Sequence, residues 1–254
     1  MGRNQTARKS PKKALNLRPV RAVFFDAGNT LLRAHPSVGH IYTRAARRHG
    51  LRLPVAWVEE RFQAAWRDRH RHALPKNDNA EKLWWRKMVR RVFGARFAPR
   101  AFDTFFNDLY GRFAHPRHWR LFDDALPTLR ALRRRGFRLG IVSNWDSRLV
   151  TLSEKIGLTR EVEFLMVSSL EGVAKPDPTI FERALARAGV APHEALHVGD
   201  SLREDYLGAR AAGLSALLLE RHGPGPQGIS TIRSLEAVVP HAETFGRSVR
   251  RENR

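Results

Sequence analysis

The sequence predicts an α/β fold: a parallel sheet interrupted, after its first strand, by an all-helical block. Three observations carry this. A short, continuous apolar run, "AVFFDA" (22–27), stands alone near the start. Residues 38–113 then show only helical spacing. From about residue 115 helix and strand patterns alternate, which is the rhythm of βαβ units and a parallel sheet. A chain of 254 residues is long for one core and suits a domain with a large insertion, or two domains. The expected division is a core of residues 20–33 and 115–245, a helical cap at 34–114, and basic tails at 1–19 and 246–254.

The tail "MGRNQTARKSPKKALNLRP" is polar, aperiodic and free of acid, as expected of disorder; its basic, acid-free composition leaves a transit peptide open as the alternative, though it lacks an apolar helical face. "AVFFDA" reads as a central strand covered on both faces. In the block, "VGHIYTRAARRHG", "PVAWVEERFQAAWRDRHRHAL", "AEKLWWRKMVRRVFG" and "RAFDTFFNDLYGRF" read as helices, the first with a Gly50 stop. Then come helix "DDALPTLRALRRRG", strand "FRLGIVSN", helix "SRLVTLSEKIG" and strand "FLMVSS". Helix "DPTIFERALARAG" opens on Asp-Pro and closes on Gly. Strand "ALHVGD", helix "EDYLGARAAG" and strand "SALLLE" complete the set.

Composition narrows the function. Hydrophobic residues make up 42%, enough for a globular core. There is no cysteine, which excludes disulfides and thiolate metal sites and fits a reducing, cytoplasmic home. No apolar run approaches the roughly 18 residues that span a bilayer, and no secretory h-region follows the first residues. The net charge is +21. Residues 34–114 hold seventeen Lys/Arg against seven acids, so much of the excess falls on the helical block. It reads either as a surface for an anionic ligand or nucleic acid, or as solvated arginine-rich helix faces; no nucleic-acid motif accompanies it.

Ligands of open parallel sheets bind at the carboxyl ends of the strands. The first strand ends on Asp26, the second on Ser143 and Asn144, the third leads to Lys175, and the fourth ends on Asp200 with Asp205 beyond it. Singly, each has a plain explanation as a turn, cap or loop residue. Together they place carboxylates, a hydroxyl and an ammonium on one rim. Asp26 beside Asp200 would repel unless a cation intervened, and a hard cation such as Mg²⁺ fits oxygen donors with a phosphate. Ser143 and nearby backbone N–H groups can hold phosphoryl oxygens, Lys175 can neutralise charge, and Asp26 can act as nucleophile.

The motifs "FFDAGNTLL", "IVSNWD", the lysine of "VAKPDPTIFERAL", and "HVGDSLREDYLGARAAG" resemble those of the haloacid dehalogenase-like (HAD) hydrolase superfamily, over roughly residues 20–220. "WW", "HPRHW" and "SNWDSRL" are most similar to the branch of the rhythmically expressed gene 2 protein. The resemblance implies a Rossmann-like core with a mobile cap. It implies Asp26 as nucleophile and metal ligand, Ser143 binding phosphoryl oxygen, Lys175 stabilising charge, and Mg²⁺ on Asp200, with Asp205 supporting it directly or through water. The expected substrate is a small phosphorylated molecule.

One position departs from that pattern. Phosphatases of the superfamily read Asp-x-Asp at the first strand end, and here the second is Gly28. Its carbonyl can still ligate Mg²⁺, but the general acid/base is missing, a group that contributes roughly 10²–10⁴-fold. Asn29 does not titrate usefully. Three readings stay open: a weak or narrow Mg²⁺-dependent phosphatase, a dehalogenase- or phosphonatase-like hydrolase, and a catalytically quiet phosphate- or nucleic-acid-binding protein. For the first, a proton could come from His35, His40, His70, His72, His115 or His118 around the cap. For phosphonate cleavage, Lys76, Lys82 or Lys87 would have to serve as an imine-forming lysine.

Overall fold

The first apolar run lies at the centre of the sheet. β1 (Ala22–Phe25) is buried along its whole length. Its side chains alternate between two apolar layers, Val23 and Phe25 entering one and Ala22 and Phe24 the other. Burial on both faces is why the run has no polar alternation. The computed structural model describes residues 20–71 and 75–247. The tails expected at 1–19 and beyond 247, and His72, lie outside the described residues, as does the side chain of His70.

β2 (Leu32–Ala34) leads out of the sheet into four helices, α1 (Val38–Arg48), α2 (Val55–Arg67), α3 (Asp78–Phe93) and α4 (Pro99–Arg112). β3 (Trp119–Leu121) returns and pairs antiparallel with β2, Leu32 opposite Leu121. This two-stranded ribbon ties the entry and exit of the helical block together. It was not expected from the sequence, because three-residue strands are too short to display a period. The four helices enclose an apolar core of their own, including Tyr42, Phe62, Phe93, Phe102 and Phe105. It is separate from the two layers that cover the sheet.

The rest alternates as expected: α5 (Ala125–Arg134), β4 (Arg138–Ser143), α6 (Arg148–Lys155), β5 (Phe164–Val167), α7 (Ser168–Glu171), α8 (Pro178–Ala188), β6 (Ala195–Gly199), α9 (Gly208–Ala211), β7 (Ser215–Leu219), β8 (Thr231–Ile232) and α10 (Val238–Arg247). The sheet has the order β5-β4-β1-β6-β7-β8, and every pairing in it is parallel. The fold is the expected α/β, Rossmann-like sheet flanked by helices.

Local chemistry sets the boundaries. α8 starts where the Asp177 carboxylate accepts from the Thr179 N–H at 3.0 Å, with Pro178 in the first helical position. It stops at Gly189, whose φ of 62° is left-handed. The helix expected over "EDYLGARAAG" is present, opening with one wide π-helical turn, Leu202–Leu207, and continuing as α9. The widening draws the buried Asp205 in beneath the strand ends, where its carboxylate is hydrogen-bonded. No helix of the described residues is long and apolar enough to cross a membrane.

Sheet packing rests on one close approach. Gly140 on β4 faces Phe164 on β5, whose ring meets Phe24 edge-on at 5.7 Å. A Cβ at position 140 would stand 2.4 Å from that ring. Gly140→Ala should therefore cost about 1–3 kcal/mol as an overpacking change. The readout is a lower urea midpoint with an unchanged slope. An unshifted midpoint would mean that Phe164 moves aside freely.

Candidate active site

Sheet order converts distant motifs into neighbours. β4, β1 and β6 lie side by side, with Phe25 in register with Ile141 and Val198. Their carboxyl ends therefore set Ser143, Asp26 and Asp200 on one rim. Lys175, from the loop after α7, and Asp205, from the wide turn, complete it. The structure thus gathers every residue expected at this rim.

A buried ammonium ties the rim together. Lys175 Nζ donates to Asp26 Oδ1 at 2.7 Å and to Asp205 Oδ1 at 2.5 Å, with 1% of its surface exposed. Ser143 Oγ donates to the same Asp26 Oδ1 at 2.9 Å. Both contacts thus fall on one oxygen, and Asp26 Oδ2 stays free of them. Asn144 clamps the Lys175 backbone: its Nδ2 donates to the Lys175 carbonyl and its Oδ1 accepts the Lys175 N–H, both at 2.8 Å. Its amide is therefore engaged in holding the lysine rather than turned wholly toward a ligand.

Asp205 accepts on both oxygens. Oδ1 also contacts His197 Nε2 at 2.9 Å, and Oδ2 accepts the Ser201 N–H at 3.0 Å. Burial holds His197 below the usual histidine range, so it is neutral. The carboxylate partner then assigns its proton to Nε2, leaving Nδ1 buried without a partner. The only signal that could have found it is a lone His inside the apolar strand "ALHVGD".

The charges are not balanced. Burial opposes the charge on Lys175, but Asp205 and Asp26 outweigh it and keep the ammonium protonated. Burial likewise opposes ionisation of Asp205, yet Lys175 and His197 hold its carboxyl well below the usual range. Asp26 is raised by burial, against the pull of Lys175. Asp200 keeps some surface open, but the protein around it, then repulsion from Asp26 and Asp205, raises its carboxyl well above the usual range. Carboxylate oxygens of Asp26, Asp200 and Asp205 come within 4.8 Å of one another. One lysine does not offset three acids at this spacing, and hard oxygen donors under mutual repulsion fit a divalent cation such as Mg²⁺. Asp205 already accepts on both oxygens, so it is less free to ligate directly than Asp26 and Asp200.

A cavity of about 550 Å³ opens above Asp26, lined by the strand ends on one side and by the helical block on the other. The block reaches the rim through polar contacts. The Asp78 carboxylate accepts from the Ser147 N–H at 2.9 Å and from its hydroxyl, and Tyr110 Oη donates to Asp146 Oδ2 at 2.9 Å. Arg148 holds the same Asp146 through Nε at 2.8 Å and Nη2 at 2.6 Å, and Arg69 lies 3.6 Å from Glu204. These residues were missed, because helical spacing does not say which face of a helix meets the sheet rim. The expected histidines His35, His40, His115 and His118 do not line the cavity; His222, which was not among those expected, does. His118 is lowered to about 4 by burial and then by neighbouring arginines, so it is no acid at neutral pH. Lys76, Lys82 and Lys87 do not line the cavity either.

A family model described as haloacid dehalogenase-like hydrolase matches residues 20–213. The chain is similar to haloacid dehalogenase-like hydrolase domain-containing protein 3 of Danio rerio, 38% identical over 80% of this chain and 86% of that protein. It is similar to the rhythmically expressed gene 2 protein of Drosophila melanogaster, 30% identical over 79% of this chain and 84% of that one. Among solved structures, a HAD phosphatase from Thermococcus onnurineus superimposes with a TM-score of 0.63 at 26% identity, covering 87% of this chain and 97% of that one. The resemblance read from the motifs is borne out.

One carboxyl on the cavity wall stays protonated at neutral pH. Burial, then repulsion from Asp146, lifts Glu81 on α3 to about 8, although the Trp85 Nε1–H donates to it at 3.0 Å. An unfolded Glu titrates near 4.5. Between those values the folded state keeps a proton that the unfolded chain has released. The stability tied to Glu81 therefore falls as pH rises through this window and levels off above about 8. Glu81→Gln should gain on the parent by on the order of a few kcal/mol between about pH 5 and about pH 8.5, at roughly 1.4 kcal/mol per unit. Urea denaturation at both pH values checks this; parallel pH profiles would overturn it.

Proposed function

The chain belongs to the haloacid dehalogenase-like hydrolase family, and on that premise we propose that it is a Mg²⁺-dependent phosphatase that uses Asp26 as nucleophile on a small phosphorylated molecule. The observation that carries this is the Asp26 carboxylate pinned through one oxygen by Lys175 and Ser143, with the other left to react. That second oxygen attacks phosphorus, the bond to the leaving oxygen breaks, and an aspartyl phosphate forms on Asp26. Water then attacks that phosphorus, releasing inorganic phosphate and restoring the carboxylate. Lys175 balances charge on the carboxylate in both steps, and Ser143 orients the phosphoryl group. Asp26, Asp200 and the Gly28 carbonyl would hold Mg²⁺, with Asp205 behind them. When bound, the ion neutralises negative charge on the phosphoryl oxygens.

The helical block acts as the cap in this reading, and its polar contacts to the rim support a role in closing the site. Dehalogenation fits less well, because a halide displacement would not need the cluster of Asp26, Asp200 and Asp205. Phosphonate cleavage through an imine fits less well, because none of the candidate cap lysines lines the cavity.

Mg²⁺-dependent release of phosphate from acetyl phosphate or p-nitrophenyl phosphate is expected, and Asp26→Asn should reduce it by at least about 10³-fold. Release that survives Asp26→Asn, or that ignores chelation of Mg²⁺, would sink the proposal.

Gly28 decides which esters are good substrates. With no acid there, leaving groups that need little protonation are favoured. A Cβ at position 28 would lie 3.3 Å from the Trp145 ring, so an added carboxylate fits once the indole gives by a few tenths of an ångström. Gly28→Asp should raise turnover of alkyl phosphates by about tenfold or more, below the full range for a general acid because the ring must shift. Steady-state kinetics on an alkyl phosphate would show it; equal or lower turnover would count against a simple missing-acid account.

A further inference from the structure

The cavity above Asp26 is larger and more aromatic than a two- or three-carbon phosphate ester requires. Its volume of about 550 Å³ is in the range of pockets that enclose ligands of drug size. The helical block lines it with Trp66, Trp84 and Trp85, and the sheet side adds Trp145. Trp66 and Trp85 are nearly parallel, with centroids 5.8 Å apart and planes at 16°. Trp84 meets Trp85 edge-on at 5.0 Å. All three stay partly exposed instead of being absorbed into the core of the block. Trp84 stands at 80° to Trp66, and Trp66 is also stacked on Phe62 at 5.9 Å, so the three indoles offer the cavity a stepped aromatic wall of edges and partly covered faces.

This wall is connected to the carboxylate rim. The Arg69 guanidinium lies over the Trp66 ring at 4.3 Å and 3.6 Å from Glu204, and both residues line the same cavity. A ligand that reaches the wall can therefore also reach the rim. An aliphatic body would gain only burial here, whereas a flat ring gains face and edge contacts.

We propose that the indole wall binds a planar aromatic ring, so that the natural ligand is a phosphate monoester carrying such a ring. This rests on the hydrolase reading of Asp26 for the phosphate end; the ring end stands on the wall alone. Stacking one ring on an aromatic side chain corresponds to roughly 5- to 150-fold in affinity.

The test separates ring recognition from leaving-group chemistry. Benzylphosphonate and ethylphosphonate do not turn over through a P–O ester bond and differ in the ring. Their binding to the full chain with Mg²⁺ is measured by calorimetry. Benzylphosphonate should bind at least about tenfold more tightly, and Trp85→Leu should shrink that ratio to about threefold or less. Equal affinities in the parent protein would overturn the inference without recourse to any variant. So would a well-folded Trp85→Leu protein with an undiminished ratio. Equal affinities alongside Asp26-dependent turnover of acetyl phosphate would remove the ring site and keep the hydrolase. A benzyl preference without any turnover would keep the ring site and remove the hydrolase.

Discussion

The buried Lys175 ammonium is the interaction on which the rest of the site depends. A lone charge at 1% exposure would be very costly, and Lys175 is tolerable only between Asp26 and Asp205. The converse also holds: either carboxylate without the lysine would be a buried charge facing other acids. Pairing of this kind is weak evidence for stability, since desolvation consumes much of the attraction. It is better evidence for position. The lysine comes from a loop, and its backbone is held by both ends of the Asn144 amide. Strand order, the clamp and Asp205 together fix one ammonium against one oxygen of Asp26.

The helical block is bound to that rim in a different way. Inside, it is an apolar unit with a dense set of aromatic contacts. Toward the sheet rim it offers Asp78, Tyr110 and Arg69, each in a polar contact with the other side. Polar contacts at the mouth of a cavity can exchange with water at modest cost, whereas an apolar core cannot. The proposed cap role would need this division between a fixed interior and an exchangeable rim.

Much of this was legible in the sequence, and the reason is periodicity. β1, β4, β5 and β6 are apolar runs followed by polar residues, so the rim could be assembled by noting what each run ends on or leads to. Ser143, Asp26, Lys175 and Asp200 emerged that way. The ribbon of β2 and β3 is too short to carry a pattern, and the wide turn at Leu202–Leu207 follows from where Asp205 must reach. His197 is a single polar residue in an apolar strand, and nothing in the sequence pairs it with Asp205. Glu81, Tyr110, Asp146 and Arg148 come from three separate segments, and only the docking of the block brings them together. Within "AEKLWWRKMVRRVFG" the pattern marked a helix, but not that its indoles would face a cavity.

Gly28 and the indole wall bear on one question. The position where the resemblance implies a proton donor is a glycine, and the Trp145 ring stands 3.3 Å from where its Cβ would be. Aromatic surface thus crowds the place where an acid would act, and the same ring belongs to the cavity wall. A substrate whose ring rests on this surface recovers in binding what the site lacks in proton transfer, because contacts far from the reacting bond can be spent on orientation at phosphorus. Where the ring is attached directly to the leaving oxygen, the need for a proton falls as well. On the proposed reading, the absent acid and the aromatic wall act together, trading generality toward alkyl phosphates for selectivity toward ring-bearing ones.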